Sequence, residues 1–242
     1  MIELNERQFL LRRLHSLAGV LPIGVFLIEH LFGNSFAIRL WGSPEAYNNY
    51  VLFLLGMPYT KYIMEIVVLA IPIGFHAVYG LMITKDMTLD TRAYANYPFK
   101  RNVAFMLQRI TGVILVVYII VHVYRERFLG TITQWVAAVK AGAPTLAVMP
   151  VDVAKQFLPS ATSDLMSPYQ TMASHLSNPG YFIFSLVGVL AATFHFSNGL
   201  WSFGVTWGIL TGPRSQRAAV LACGGIFLAL SGMGILALAS FR

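Results

Sequence analysis

Five apolar blocks of membrane-crossing length constrain this chain more than anything else in it. They lie at 14–36, 62–84, 103–124, 181–206 and 217–240. An α-helix needs ~20 residues to cross a ~30 Å hydrocarbon layer. No water reaches backbone N–H and C=O groups there, so each block must pair its own, which a helix does. The composition agrees, with 57% apolar and 11% charged residues over 242 positions; a soluble domain carries about a quarter charged. The expected fold is an all-α membrane protein with five transmembrane helices in a single domain, residues 1–242. The first block is too long for a removable signal, lacks a small-residue cleavage site and contains Glu29-His30. It is expected to stay as a span.

The formal charge is +7. Its distribution points away from nucleic acid, because the basic residues gather at the ends of the apolar blocks. Arg7, Arg12 and Arg13 precede the first block. Lys85, Arg92, Lys100, Arg101 and Arg109 surround the junction of the second and third. Arg214 and Arg217 separate the fourth and fifth. With five spans these three segments share one side, and the positive-inside rule makes it cytoplasmic. The expectation is a multi-pass membrane protein with its N-terminus cytoplasmic and its C-terminus outside. The long connection 125–180 then lies outside. Within it, 131–141 and 151–158 are candidate short interfacial helices, and its apolar content favours an ordered lid. One cysteine, Cys223, excludes an internal disulfide and a multi-cysteine metal site.

Four histidines carry the chemistry: His30, His76, His122 and His195, one on each of the first four spans. A histidine within lipid is costly and calls for a partner. At ~1.5 Å rise per residue, His30 and His122 lie roughly 7 and 12 Å outward of their span midpoints, and His76 and His195 roughly 2–5 Å inward. The four sort into an outer pair and an inner pair. In an up-down four-helix bundle, spans one and three are diagonal, as are two and four. A flat cofactor between diagonal helices receives one imidazole on each side, which is the arrangement of a bis-imidazole haem. The first four spans are therefore expected to form a di-haem four-helix bundle with His30, His76, His122 and His195 as the metal ligands. Without a Cys-x-x-Cys-His motif the haem is bound without thioether links.

Small residues accompany the ligands. Gly19 stands eleven before His30 and Thr111 eleven before His122; Gly80 follows His76 by four; Gly188 and Gly199 flank His195 by seven and four. Each helix thus offers an imidazole at one level and room at the other. Glycine in packed membrane helices explains single instances equally well. Ser197 and Tyr118 are candidates to orient the imidazoles, as are helix carbonyls one turn back. Arg12, Arg13, His15, Ser16, Arg109, Asn198 and Trp201 lie near the inner end, as candidate contacts to haem propionates or to an inner quinone. His15 is placed too near the interface to match either histidine level. His175 is read as a solvated or lid residue.

Four stretches carry a family resemblance. They are Arg12-Arg13-Leu14-His15-Ser16 leading to Glu29-His30-Leu31, Phe75-His76-Ala77-Val78-Tyr79-Gly80, Leu107-Gln108-Arg109-Ile110-Thr111-Gly112 leading to His122, and Phe194-His195-Phe196-Ser197-Asn198-Gly199-Leu200-Trp201-Ser202; Pro213-Arg214-Ser215-Gln216-Arg217 adds a fifth. At these residues the chain resembles the di-haem cytochrome b membrane anchor of succinate:quinone oxidoreductases and fumarate reductases, the type with one anchor polypeptide, two haems and five helices. The resemblance implies two haem b groups, with His76 and His195 on the inner and His30 and His122 on the outer. It implies flavoprotein and iron–sulfur partners on the cytoplasmic face, and electrons passing from succinate through the inner then the outer haem to a quinone, usually menaquinone. It implies a bacterial plasma (inner) membrane, allows the reverse direction and leaves a higher oligomer of the complex open. By itself the subunit is not expected to act on succinate. The loop 125–180 is longer than the family pattern.

Quinone reduction takes protons as well as electrons, so a titratable group is needed near a haem edge. Glu65 lies eleven before His76 near the outer end, with Tyr59 and Lys61 as candidate hydrogen-bonding neighbours; Glu29 and Tyr124 lie in the same region. Glu65 reads equally as the i, i+4 partner of Lys61. An inner quinone near Arg12, Ser16 and Trp201 is the alternative. Three other functions compete: a cytochrome b anchor of another quinone-linked dehydrogenase (hydrogenase or formate dehydrogenase), a proton-coupled transporter with a histidine relay, and an anchor without haem. The Phe-His-Phe-Ser-Asn-Gly segment argues against the first, the lack of an internal repeat against the second, and the matched histidine depths against the third.

Overall fold

The computed structural model describes residues 6–56, 60–85, 100–129 and 167–242. Candidate helices 131–141 and 151–158 and Tyr59 lie outside the described residues, as does the side chain of Lys61. Five helical stretches are long and apolar enough to cross a membrane: Glu6–Ser35, Ile63–Lys85, Val103–Phe128, Pro179–Thr206 and Pro213–Ser240. Every described element is helical.

Prolines set the starts. The first span is two helices, α1 (Glu6–Val20) and α2 (Pro22–Ser35). Pro22 has no N–H to give the preceding turn, and the chain crosses the joint through Leu21, whose N–H still reaches Leu17 O at 2.9 Å. A short helix, α3 (Pro44–Gly56), follows at the His30 end of the bundle, labelled outer after the orientation expected from charge. The second span enters through a wider-wound π-helical run, Thr60–Ala70, and continues as α4 (Ile71–Lys85). The third is α5 (Lys100–Val123), ending in a π-helical turn, Tyr124–Leu129. A second short outer helix, α6 (Pro168–Leu176), begins with a reciprocal cap: Ser167 Oγ accepts from Gln170 N, and Ser167 N donates to Gln170 Oε1. Asn178 caps the fourth span, α7 (Pro179–Thr206), by accepting from Tyr181 N at 3.0 Å. Gly208, at φ 71°, turns the chain toward α8 (Pro213–Ser240), the fifth span. That positive φ favours a residue without Cβ.

Spans one and two, two and three, three and four, and four and one pack side by side, which closes a four-membered ring. The histidine-bearing partners of each level therefore sit on diagonal helices. The fifth span packs outside the ring, against α7 and α2. Leu31, Phe196 and Leu230 form the buried seam between spans one, four and five. A second cluster, Ala37, Tyr47, Leu176, Tyr181 and Phe241, seals the outer end under α3 and α6. Elsewhere large apolar side chains face outward, as with Leu221 at 78% and Leu228 at 70% exposure. Such a surface would favour association in water, but hydrocarbon is its natural solvent. The chain is a multi-pass membrane protein.

A buried pair of hydroxyls crosses the seam. Thr193 and Ser231 share a hydroxyl–hydroxyl bond of 2.7 Å, both buried. Thr193→Val should strand the Ser231 hydroxyl and lower stability by about 1–3 kcal/mol, whereas the Thr193→Val, Ser231→Ala pair should recover most of that loss. Thermal unfolding in detergent across the four proteins measures the coupling.

Candidate functional site

The ring brings the histidines together across both diagonals. The His30 and His122 rings are 6.0 Å apart, centroid to centroid, at 81°, and the His76 and His195 rings are 6.2 Å apart at 82°. A metal–imidazole bond of about 2 Å plus about 1 Å from ring nitrogen to ring centre puts two imidazoles on opposite sides of one metal roughly 6 Å apart. Among the described residues no group of three or more His, Cys, Asp or Glu side chains is placed to hold a bare metal ion. A porphyrin brings its own equatorial nitrogens and asks the protein for axial ligands, which suits two facing pairs.

The inner pair is oriented from neighbouring helices. His76 Nδ1 lies 2.9 Å from His15 O on span one, which leaves Nε2 for the diagonal partner. That carbonyl belongs to a helix, yet its second lone pair is reachable because Gly19, one turn on, has no side chain. A Cβ on Gly19 would stand 2.6 Å from His76 Cε1. His195 Nδ1 lies 3.1 Å from Thr111 Oγ1 on span three. The threonine hydroxyl spends its own proton on Leu107 O at 2.7 Å, so it accepts from the imidazole. Gly112 beside it admits the ring, with His195 Cε1 3.1 Å from where a Cβ would be. Donation from the outer nitrogen to a fixed acceptor sets a ligand's tautomer and plane. Tertiary acceptors meet both inner imidazoles here, and among the described residues neither Ser197 nor a carbonyl of the histidine's own helix does. Ser197 Oγ is buried without a hydrogen bond among the described residues.

The outer pair is held differently. His30 stacks on Phe26 and His122 on Tyr118, each with centroids 5.3 Å apart. Asn34 donates to His30 O at 2.7 Å and approaches His30 Nε2 at 3.4 Å. Tyr118 in turn lies against Gly188. Three carboxylates surround this level. Glu29 accepts from the Tyr50 hydroxyl, and burial together with the Glu29 hydrogen bond and charge pushes Tyr50 above the usual phenol range. Glu126 accepts from Tyr181 at 2.7 Å and meets His175 Nδ1 at 2.9 Å. Glu65 takes a two-pronged contact from Arg127, with distances of 3.1–3.2 Å. Arg125 lies on the face of Tyr181 at 4.2 Å, its Nε buried without a hydrogen bond among the described residues.

One expectation changes. His15 is not an interfacial residue apart from both levels. Its ring lies 3.9 Å from that of His76 at 10°, over Gly80. The helix starts at Glu6, eight residues before the apolar block, so His15 lies well inside the rod. Glu65 finds its cation on span three, a contact no single-helix spacing reveals. His175, read as a lid residue, is tied to Glu126. The remaining inner candidates are spread over protein contacts. Arg13 packs on Phe9 and Trp207 at 4.9 and 5.0 Å. Arg109 covers the Phe105 ring at 3.4 Å and donates to Phe105 O. Asn198 donates to Gln108 Oε1 at 2.7 Å, and Trp201 Nε1 to Gln216 O at 3.4 Å. Arg12 is exposed and Ser16 half-buried.

No protein-family model matches the chain. Over 237 residues, 98% of each chain, it is 39% identical to the succinate dehydrogenase cytochrome b558 subunit of Bacillus subtilis (strain 168). The chain belongs to the succinate dehydrogenase cytochrome b558 subunit family. Membership agrees with the five spans and makes the chain a membrane-anchor cytochrome b of that complex. Gly19 leaves no room for a side chain against the His76 ring. Gly19→Val should force the His76 ring off His15 O, and the reduced-minus-oxidised spectrum should lose intensity while His30→Ala on the same background removes what remains.

Proposed function

We propose that the chain binds two haem b groups and carries reducing equivalents from cytoplasmic flavoprotein and iron–sulfur partners to menaquinone. His76 and His195 would hold the inner group, and His30 and His122 the outer. The observation that carries this reading is the pair of imidazole–imidazole approaches, 6.0 and 6.2 Å, across the two diagonals of one bundle. Bound there, haem b supplies one-electron redox chemistry. The chain's own residues fix the imidazole planes through His15 O and Thr111, exclude water with the Phe26, Tyr118 and Phe196 rings, and supply charge near the bundle ends. Arg12, Arg13, Arg109, Asn198 and Trp201 are the inner candidates to meet propionates. The positive-inside bias supports a cytoplasmic N-terminus and a C-terminus outside.

The outer end is the better quinone site. Glu65 lies within the π-helical run of span two, and Arg127 within that of span three. Such windings mark functional sites often, and here they aim the two side chains at each other between the spans. Glu65 would exchange a proton with the quinone, and Arg127 would fix its carboxylate. Tyr59 and Lys61 remain proposed neighbours of that quinone. A quinone reduced at this end makes turnover sensitive to membrane potential, since electrons cross toward the outside.

Haem extraction from the purified complex should give two haem b per chain. His76→Ala or His195→Ala should each remove one and spare the other; a single haem in the unaltered protein would refute the reading. Glu65→Gln should keep both haems and slow succinate:quinone turnover by about 100-fold or more, the usual weight of a proton-transfer group. Steady-state rates with a soluble menaquinone analogue decide it.

A further inference from the structure

Glu126 and His175 stand outside every role assigned so far. Glu126 lies one turn beyond His122 toward the outer end, in the π-helical turn that closes span three. Its side chain is 15% exposed. A carboxylate so buried at a membrane protein's edge needs partners, and it has two. Tyr181 O–H donates to Oε1 at 2.7 Å, and His175 Nδ1 meets Oε2 at 2.9 Å. His175 comes from α6, and that helix is pinned at both ends of its reach. Tyr169 N donates to Asn48 Oδ1 at 2.9 Å, and Tyr169 O–H to Ser240 O at 2.6 Å. Leu176 is fully buried beneath it. The imidazole is thus held in register with the carboxylate, and 21% of its side chain reaches solvent. Among the described residues, the other charged or titratable groups around the pair are His122 on the same span, Arg125 on the Tyr181 ring, and the phenols Tyr47, Tyr118 and Tyr181.

We propose that Glu126 and His175 form a proton-exchange dyad between outer water and the quinone site at the outer end of the bundle, with Tyr181 positioning the carboxylate. The dyad rests on the outer-quinone reading. A neutral imidazole with its proton on Nδ1 donates to the ionised carboxylate, which leaves Nε2 as the proton acceptor. In the exchange, the Nδ1–H bond breaks and an O–H bond forms on Oε2, while Nε2 takes one proton from outer water. The imidazole stays neutral in its other tautomer, and the carboxyl group holds a proton for the reduced quinone. When that proton leaves, the carboxylate re-forms, and a ring flip of His175 returns an N–H to it. Each cycle moves one proton inward and no electrons.

The test uses the whole complex in proteoliposomes. His175→Gln keeps a hydrogen-bond donor toward Glu126 and cannot relay a proton; His175→Ala opens a space that free imidazole can fill. Both variants should keep two haems by reduced spectrum. Both should slow succinate:quinone turnover by about tenfold or more, and added imidazole should restore His175→Ala but not His175→Gln. Unaltered turnover in His175→Gln overturns the dyad. So does a loss in His175→Ala that imidazole leaves untouched, or a loss of haem in both variants, since either makes the contact a structural latch. An imposed membrane potential separates the two readings. Turnover indifferent to potential in the unaltered complex sinks the outer quinone site itself, whereas retained sensitivity with normal His175→Gln rates sinks the dyad alone.

Discussion

Facing imidazoles across the diagonals are the constraint that the rest of the bundle serves. An imidazole carries two polar nitrogens into hydrocarbon, and both need an occupation. At the inner level the neighbouring helix answers for one nitrogen and so frees the other for the diagonal. That division asks for two things at once on the neighbouring helix: an acceptor, and an absence of bulk beside it. Span one meets this with His15 O and Gly19, and span three with Thr111 and Gly112. The small residues are therefore part of what positions the imidazoles. A methyl at Gly19 alone would stand within contact distance of the ring that it must admit.

The outer level solves the same problem with aromatic rings and a polar shell. Phe26 and Tyr118 hold the imidazole faces, while Glu29, Glu65 and Glu126 are each engaged by a residue of another element: Tyr50 of α3, Arg127 of span three, and His175 and Tyr181 of α6 and α7. A carboxylate as buried as Glu126, left without such partners, would cost several kcal/mol, whereas the half-open Glu65 needs less. The concentration of the three carboxylates at one end, with the two π-helical windings, sets that end apart from the apolar waist of the bundle.

How far the sequence reaches into this structure follows from what is local. Helix rise and period are local, so the five spans, the two histidine levels, and the opposition of Gly19 and Thr111 to the inner ligands were all readable along the chain. The short helices α3 and α6 were not, since neither is long enough to show an apolar period of its own. The boundary of apolar residues also differs from the boundary of the helix. Arg7, Arg12 and Arg13 hide the first two turns of α1, which is why His15 reads as interfacial while its ring lies against His76. Partners from other helices escape spacing rules altogether. The i, i+4 rule offers Glu65 only Lys61, yet Arg127 reaches it from 62 positions away.

The fifth span carries no histidine, and its place outside the ring explains its use. Span four touches spans one and three within the ring and would present its remaining face to lipid. Thr193 lies on that face two residues before His195, and its hydroxyl donates to Val189 O of its own helix at 2.9 Å. That leaves its oxygen to meet the Ser231 hydroxyl across the seam, and Gly234 lets Val189 approach the backbone of α8 closely. Further along, Phe241 packs into the outer cluster against Tyr47 and Tyr169, and Ser240 O accepts from Tyr169. One helix thus braces the His195-bearing span at its middle and the capping helix α6 at its end. His195 and His175 both sit on elements packed against the same rod, so a span without a histidine helps to place two of them.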